Sequence, residues 1–274
     1  MDKDKYYAAL DAIINFIEVL LTPKPYSGEP YIGIHEIGEG AFCEYKPFLK
    51  YYLKRELGKD ITNEDILRGK KIHEELYSGA EIDDIKELIF KLIFWKSIEL
   101  VEVFLATRVY GIRLVGRVDC LTINISEKGN IIIEIREGKS TSNIKYLQAS
   151  SPLDLPPPWI MQALGYKLIL KSLLKSLLSP LNVNYKIRVI IEVIDNKTGE
   201  LVNKFPIERI DKLLPDFEKI LKLFKNPTLL VPNKYKDKAR HRCDVCSIKE
   251  YCNSIEKEKV INFWIENRLK RQLT

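Results

Sequence analysis

The run Gly116-Arg117-Val118-Asp119-Cys120-Leu121-Thr122-Ile123-Asn124-Ile125 is followed by Ser126-Glu127-Lys128-Gly129-Asn130 and then Ile131-Ile132-Ile133-Glu134-Ile135-Arg136-Glu137-Gly138-Lys139. Leu114–Ile125 and Ile131–Arg136 are rich in β-branched residues, and the polar segment with Gly129 between them reads as a turn. The unit is therefore predicted to be a β-hairpin. Each strand carries one acid in an apolar setting, Asp119 and Glu134. A lone carboxylate in a buried strand is costly unless it is paired or binds a cation. Two on adjacent strands suggest a divalent ion held by oxygen ligands. The plainer alternative is that both acids end their strands facing water.

Working outward, 274 residues suffice for a large core, as one elaborated domain or slightly more. The net charge of +6 is mildly basic and compatible with a polyanionic partner. The most apolar runs, Ile85–Trp95 and Leu168–Leu178, are interrupted by Lys or Glu. No signal peptide or membrane span is expected, which points to a cytoplasmic protein. Five cysteines in that compartment favour ligation or redox chemistry over a disulfide scaffold.

Apolar spacing predicts helices at 4–21, 40–57, from Thr62-Asn63-Glu64-Asp65 onward, 82–95, 159–178, 209–224 and 256–273. Strands are predicted at 100–109, 114–125, 131–136, 185–194 and 201–205, with a long loop over Ser140–Pro158. This order implies an α/β fold, a central sheet flanked by helices. Four regions are expected: an N-terminal helix and linker over 1–33, a helical region over 34–98, the sheet-bearing core over 99–225, and a cysteine-bearing C-terminal part over 226–274.

Cys243-x2-Cys246-x5-Cys252 is a ligand signal for zinc or an iron–sulfur cluster. Both usually want a fourth ligand. Cys43, at the start of an aromatic-rich segment, is preferred to Cys120, which would crowd Asp119; His241 is a local competitor. Lys234, Lys236, Lys238, Arg240, His241 and Arg242 precede the cysteines, and Arg268, Lys270 and Arg271 follow. They read either as a track for a nucleic-acid backbone or as a solvated face.

In order, the chain shows Cys43, Gly69-x3-His73, Gly116-Arg-Val-Asp119, apolar-Glu134-x-Arg136, Gln162-x3-Tyr166 and the three clustered cysteines. This series resembles the RecB-like nucleases of the PD-(D/E)xK superfamily, and within them the iron–sulfur branch that includes the CRISPR-associated protein-four exonucleases and viral relatives. The likeness covers roughly Gly40 to Cys252. It implies a restriction-endonuclease-like core with a mixed central sheet flanked by helices, and a helical iron–sulfur subdomain formed by both chain ends. It implies a metal-dependent DNA exonuclease with Mn2+ or Mg2+ on His73, Asp119, Glu134 and the Ile135 carbonyl. Gln162 and Tyr166 would position DNA or the catalytic groups, and Cys43, Cys243, Cys246 and Cys252 would hold a [4Fe–4S] cluster. It extends to DNA and CRISPR integrase proteins as partners, with a homo-oligomer left open.

One position departs from the family pattern. Where the family has Glu-x-Lys, this chain has Glu134-Ile135-Arg136. Arginine stays protonated and cannot act as a base. The register Glu137-Gly138-Lys139 keeps the letters, but it is disfavoured because Gly138 is expected to break the strand. A third option brings Lys139 in to replace the missing amine. Competing readings are a DNA-binding or assembly protein that has lost its chemistry, for which Arg136 speaks, and a zinc-stapled structural protein.

Overall fold

A computed structural model describes residues 3–22, 31–59, 64–77, 85–178, 183–207 and 210–269. The expected capping segment at Thr62-Asn63, most of the linker after Thr22, and Lys270 and Arg271 lie outside these residues.

The described elements are a mixed six-stranded sheet and the helices packed around it. Strands β2 (Ser97–Val109), β3 (Ile112–Ile125) and β4 (Ile131–Thr141) are antiparallel neighbours. Strand β5 (Tyr185–Asp195) runs parallel to β4, and β6 (Leu201–Pro206) closes that edge antiparallel to β5. The short β1 (Ile32–Gly33) pairs in parallel with Leu114 and Val115 of β3. Asn124↔Ile132 and Ile125↔Ile131 fix the predicted hairpin, and Gly129 takes the positive φ of 73° that its turn requires.

Two departures from expectation have local causes. The segment foreseen as one helix over 40–57 is two, α2 (Ile34–Phe42) and α3 (Lys46–Glu56). Cys43 between them is extended, and Pro47, at the start of α3, cannot continue a helix from upstream because it lacks the N–H. Strand β4 does not stop at Gly138: pairing with β5 continues through Gly138↔Glu192 to Thr141↔Asp195. A parallel neighbour supplies hydrogen bonds that a glycine alone would not have secured.

Helix α1 (Lys3–Leu21) buries Leu10, Ile13, Phe16 and Ile17, four positions of one helical stripe. Helix α4 spans Glu64–Tyr77 and α5 spans Ile85–Trp95. After the short α6 (Ile144–Leu147), α7 (Pro157–Leu178) starts on prolines that need no N–H partner there, and buries residues on most of its circumference. It packs against α2, β2 and β5. Glycines permit the closest approach: a Cβ on Gly165 would lie 2.7 Å from Ile34 Cδ1, and one on Gly38 would lie 2.9 Å from the Pro158 carbonyl oxygen. Helix α8 (Leu214–Lys225) and, after the small α9 (Lys249–Ser254), α10 (Lys257–Trp264) complete the fold. Trp264 sits among Phe48, Phe224 and Tyr51, with ring centroids 4.5, 5.6 and 5.1 Å away, so α10 is joined to α3 and α8 through one aromatic cluster.

Candidate active site

Strands β3 and β4 pair only as far as Cys120↔Arg136 and then part, and β1 takes over the vacated edge of β3 at Leu114 and Val115. Parting leaves the Gly138 N–H without a strand partner on that side. It donates instead to the Asp119 carboxylate, Oδ2 at 2.7 Å. This one bond brings Asp119 beside the segment Glu137-Gly138-Lys139.

Glu137 is 2% exposed. Its Oε1 accepts from Lys139 Nζ at 2.7 Å and from Gln162 Nε2 at 2.9 Å. Lys139 also donates to Gln162 Oε1 at 2.9 Å. Gln162 and Tyr166, one turn apart on α7, are joined at 3.3 Å, and the Tyr166 hydroxyl donates to the Arg117 carbonyl at 2.7 Å. On the other side, His73 of α4 places Nδ1 3.5 Å from Asp119 Oδ2.

Burial pushes the Glu137 carboxyl up to about 7, against the pull of Lys139 and with the help of the nearby Asp119 charge. Its Oε2 has no hydrogen-bond partner among the described residues. A buried carboxylate oxygen left unpaired is costly, so the group is poised to take up a proton. Burial first, then the Glu137 charge, holds the Tyr166 phenol well above its ordinary value, so it remains a hydrogen-bond donor.

An open cleft of about 660 Å³ adjoins these groups, lined by Gly69, Lys70, His73, Arg117, Ser140, Thr141 and Ser142 among others. Glu102 also lines it, ion-paired with Arg117 at 3.3 Å. Glu102 has a φ of 52°, and pairing of β2 with β3 lapses there, between Val101↔Cys120 and Val103↔Val118. A non-glycine residue in that region costs about 1–2 kcal/mol.

Of the residues singled out from sequence, His73, Asp119, Lys139, Gln162 and Tyr166 are brought together. Glu134, Ile135 and Arg136 are not. Glu134 pairs with Thr122, and strand alternation puts it on the sheet face opposite Asp119 and Leu121. Ile135 is fully buried in the apolar core. Arg136 is bound to Glu99 and donates to Cys120 Sγ at 2.7 Å, away from the site. The acid and the amine that lie beside Asp119 are Glu137 and Lys139, not Glu134 and Arg136. The sequence signal for them is the Glu137-Gly138-Lys139 spacing, disfavoured because Gly138 was expected to break a strand that in fact continues through it.

The cofactor expectations need correction as well. Among the described residues, no group of three or more His, Cys, Asp or Glu side chains is placed to hold a metal ion. The Mn2+ or Mg2+ site expected on His73, Asp119, Glu134 and Ile135 fails because Glu134 faces the other way. The [4Fe–4S] cluster expected on Cys43, Cys243, Cys246 and Cys252 is likewise not supported. These four cysteines line a pocket of about 350 Å³ with Tyr45, Lys46, Tyr235 and Lys249, without forming a group placed to hold a metal ion. Part of the basic run also has a structural use. Arg242 donates to the Ala41 and Phe42 carbonyls at 3.2 and 3.0 Å, closing the C-terminus of α2, and Lys236 pairs with Glu44 at 2.6 Å.

No family model matches the chain, and no curated protein matches it. Among solved structures, a candidate exonuclease from Eubacterium rectale is 14% identical with a TM-score of 0.46, over 81% of this chain and 92% of its own. The protein SSO0001 is 15% identical with a TM-score of 0.38, over 88% and 92%. At such identities and scores neither likeness carries a function across. No helix among the described residues is long and apolar enough to cross a membrane.

Proposed function

We propose that this protein is a nuclease that hydrolyses DNA phosphodiester bonds, working from strand ends. The observation that carries the reading is the contact of Lys139 with Glu137 beside Asp119, under the Gln162 side chain. The ordered motifs of the sequence point the same way, and Lys139 supports the reading by supplying an amine beside Asp119 where Arg136 does not.

In this reading the ionised Glu137 takes a proton from a water molecule, whose oxygen attacks phosphorus. The Lys139 ammonium offsets the negative charge that grows on the non-bridging oxygens. Gln162 fixes both side chains, and Tyr166 fixes Gln162 and the backbone before Asp119. Asp119 orients the His73 ring, which in its protonated, imidazolium form gives a proton to the leaving oxygen as that oxygen's bond to phosphorus breaks, and is left as neutral imidazole. Lys70 and Arg117, with the hydroxyls of Ser140, Thr141 and Ser142, offer partners for neighbouring phosphates along the cleft.

The test uses end-labelled linear and closed circular DNA, single- and double-stranded, in buffers with and without divalent salts. Wild type is expected to degrade linear DNA, with Asp119→Asn and Lys139→Met each at least about 100-fold slower. Cleavage by both variants at the wild-type rate would refute the assignment, and cutting of circles would remove the preference for ends.

A further inference from the structure

Helix α4 delivers His73, yet it rests on the sheet through a narrow stripe. Gly69, His73 and Tyr77 recur every fourth residue and so share one face. The first lies over Ser140: a Cβ on Gly69 would come within 2.4 Å of that hydroxyl oxygen. The other two lie over Gly138, where an added Cβ would be 3.0 Å from the Tyr77 hydroxyl and 3.1 Å from His73 Cε1. A helix of 14 residues has little stability of its own, so these contacts set where it sits.

The terminal contact is the best anchored. Tyr77 is 7% exposed and donates its hydroxyl to Glu192 Oε2 at 2.7 Å. Glu192, 4% exposed, is the register partner of Gly138 on β5. Its other oxygen makes no hydrogen bond among the described residues but is ion-paired with Lys204 of β6 at 2.7 Å, with Arg136 4.0 Å away. Burial, then the bond to Glu192, keeps the phenol far above its usual titration range, so the hydroxyl proton is always present. The Tyr77 ring meets the His73 ring edge-on, centroids 5.9 Å apart and planes at 69°. Within the chemistry set out above, Tyr77 and Glu192 touch no reacting atom.

We infer that Tyr77, anchored on Glu192, is a positioning residue that sets the His73 imidazole against the Asp119 carboxylate. Its effect on cleavage rests on the nuclease reading, whereas its effect on His73 does not.

The experiment therefore reads both. The chain has 3 histidines, so the His73 ring resonances are assignable by comparison with His73→Gln. In Tyr77→Phe those resonances are expected to shift and broaden, with kcat for DNA cleavage falling about 10- to 100-fold and KM unchanged. Glu192→Ala, which removes the acceptor from the other side, must move the same resonances. Glu192→Gln retains an acceptor oxygen and is expected to restore the wild-type spectrum. His73 resonances in folded Tyr77→Phe or Glu192→Ala that coincide with wild type would overturn the inference. Should wild type cleave no DNA while the resonances move as stated, the nuclease reading fails and the positioning role stands.

Discussion

Glu137 is the residue on which the proposed chemistry turns, and its burial makes a prediction independent of any substrate. An unfolded chain ionises this carboxyl near its ordinary 4.5, whereas the folded chain holds the proton to about 7. Between those values the folded state binds more proton than the unfolded, so this group's contribution to stability falls as pH rises through the window and is level above it. Urea midpoints measured from pH 5 to pH 8 should fall more steeply for wild type than for Glu137→Gln, in which the titrating group is gone. Equal slopes would mean that Glu137 is not held in its neutral form. The same ionisation sets the expected activity profile, with cleavage rising through about pH 7 as the base becomes available.

At the scale of elements, the site depends on two strands parting and on glycines that let helices come close. Gly116 lies under helix α7: a Cβ there would stand 2.6 Å from the Tyr166 ring and 3.0 Å from Ile34. Gly116→Ala should destabilise the fold by about 1–3 kcal/mol, as overpacking does, and displace Tyr166 from the Arg117 carbonyl. Calorimetry and the DNA-cleavage rate check the two parts. An unshifted melting temperature would contradict the close packing of α7 on β3. These elements also divide what the sequence could and could not reveal. The hairpin around Gly129, helix α4 and the Gln162–Tyr166 pair are written in local periodicity and turn chemistry, which a sequence displays directly. The choice between Glu134 and Glu137 is not local. It depends on β5 pairing in parallel with β4 beyond Gly138, a contact between segments about fifty residues apart whose strength no single window reports. Likewise Pro47 shows why α3 starts anew, but only the fold shows that Cys43 ends the helix before it. The cysteine spacing was legible as a pattern and misleading as chemistry: the four side chains line one pocket, but among the described residues they form no group placed to hold a metal ion.

For the molecule as a whole, the C-terminal segment is tied back to the N-terminal part of the fold through Arg268. Its guanidinium reaches both carboxylate oxygens of Glu36 at 2.9 Å and lies over the rings of Tyr51 and Trp264, 4.4 and 4.5 Å from their centroids. Glu36 is 6% exposed and also accepts the Gly33 N–H at 2.7 Å. Removing Arg268 strands a buried carboxylate, so Arg268→Ala should cost about 3–5 kcal/mol and speed proteolytic trimming of the C-terminal helix. Trimming at the wild-type rate would show that the tie is dispensable. Which acid serves the cleft is decided by one comparison. Rates of DNA degradation should be measured side by side for wild type, Glu137→Gln and Glu134→Gln. Glu137→Gln is expected to lose at least about 100-fold while Glu134→Gln stays within about twofold of wild type. The reverse order, or equal losses in both, would contradict the assignment of Glu137.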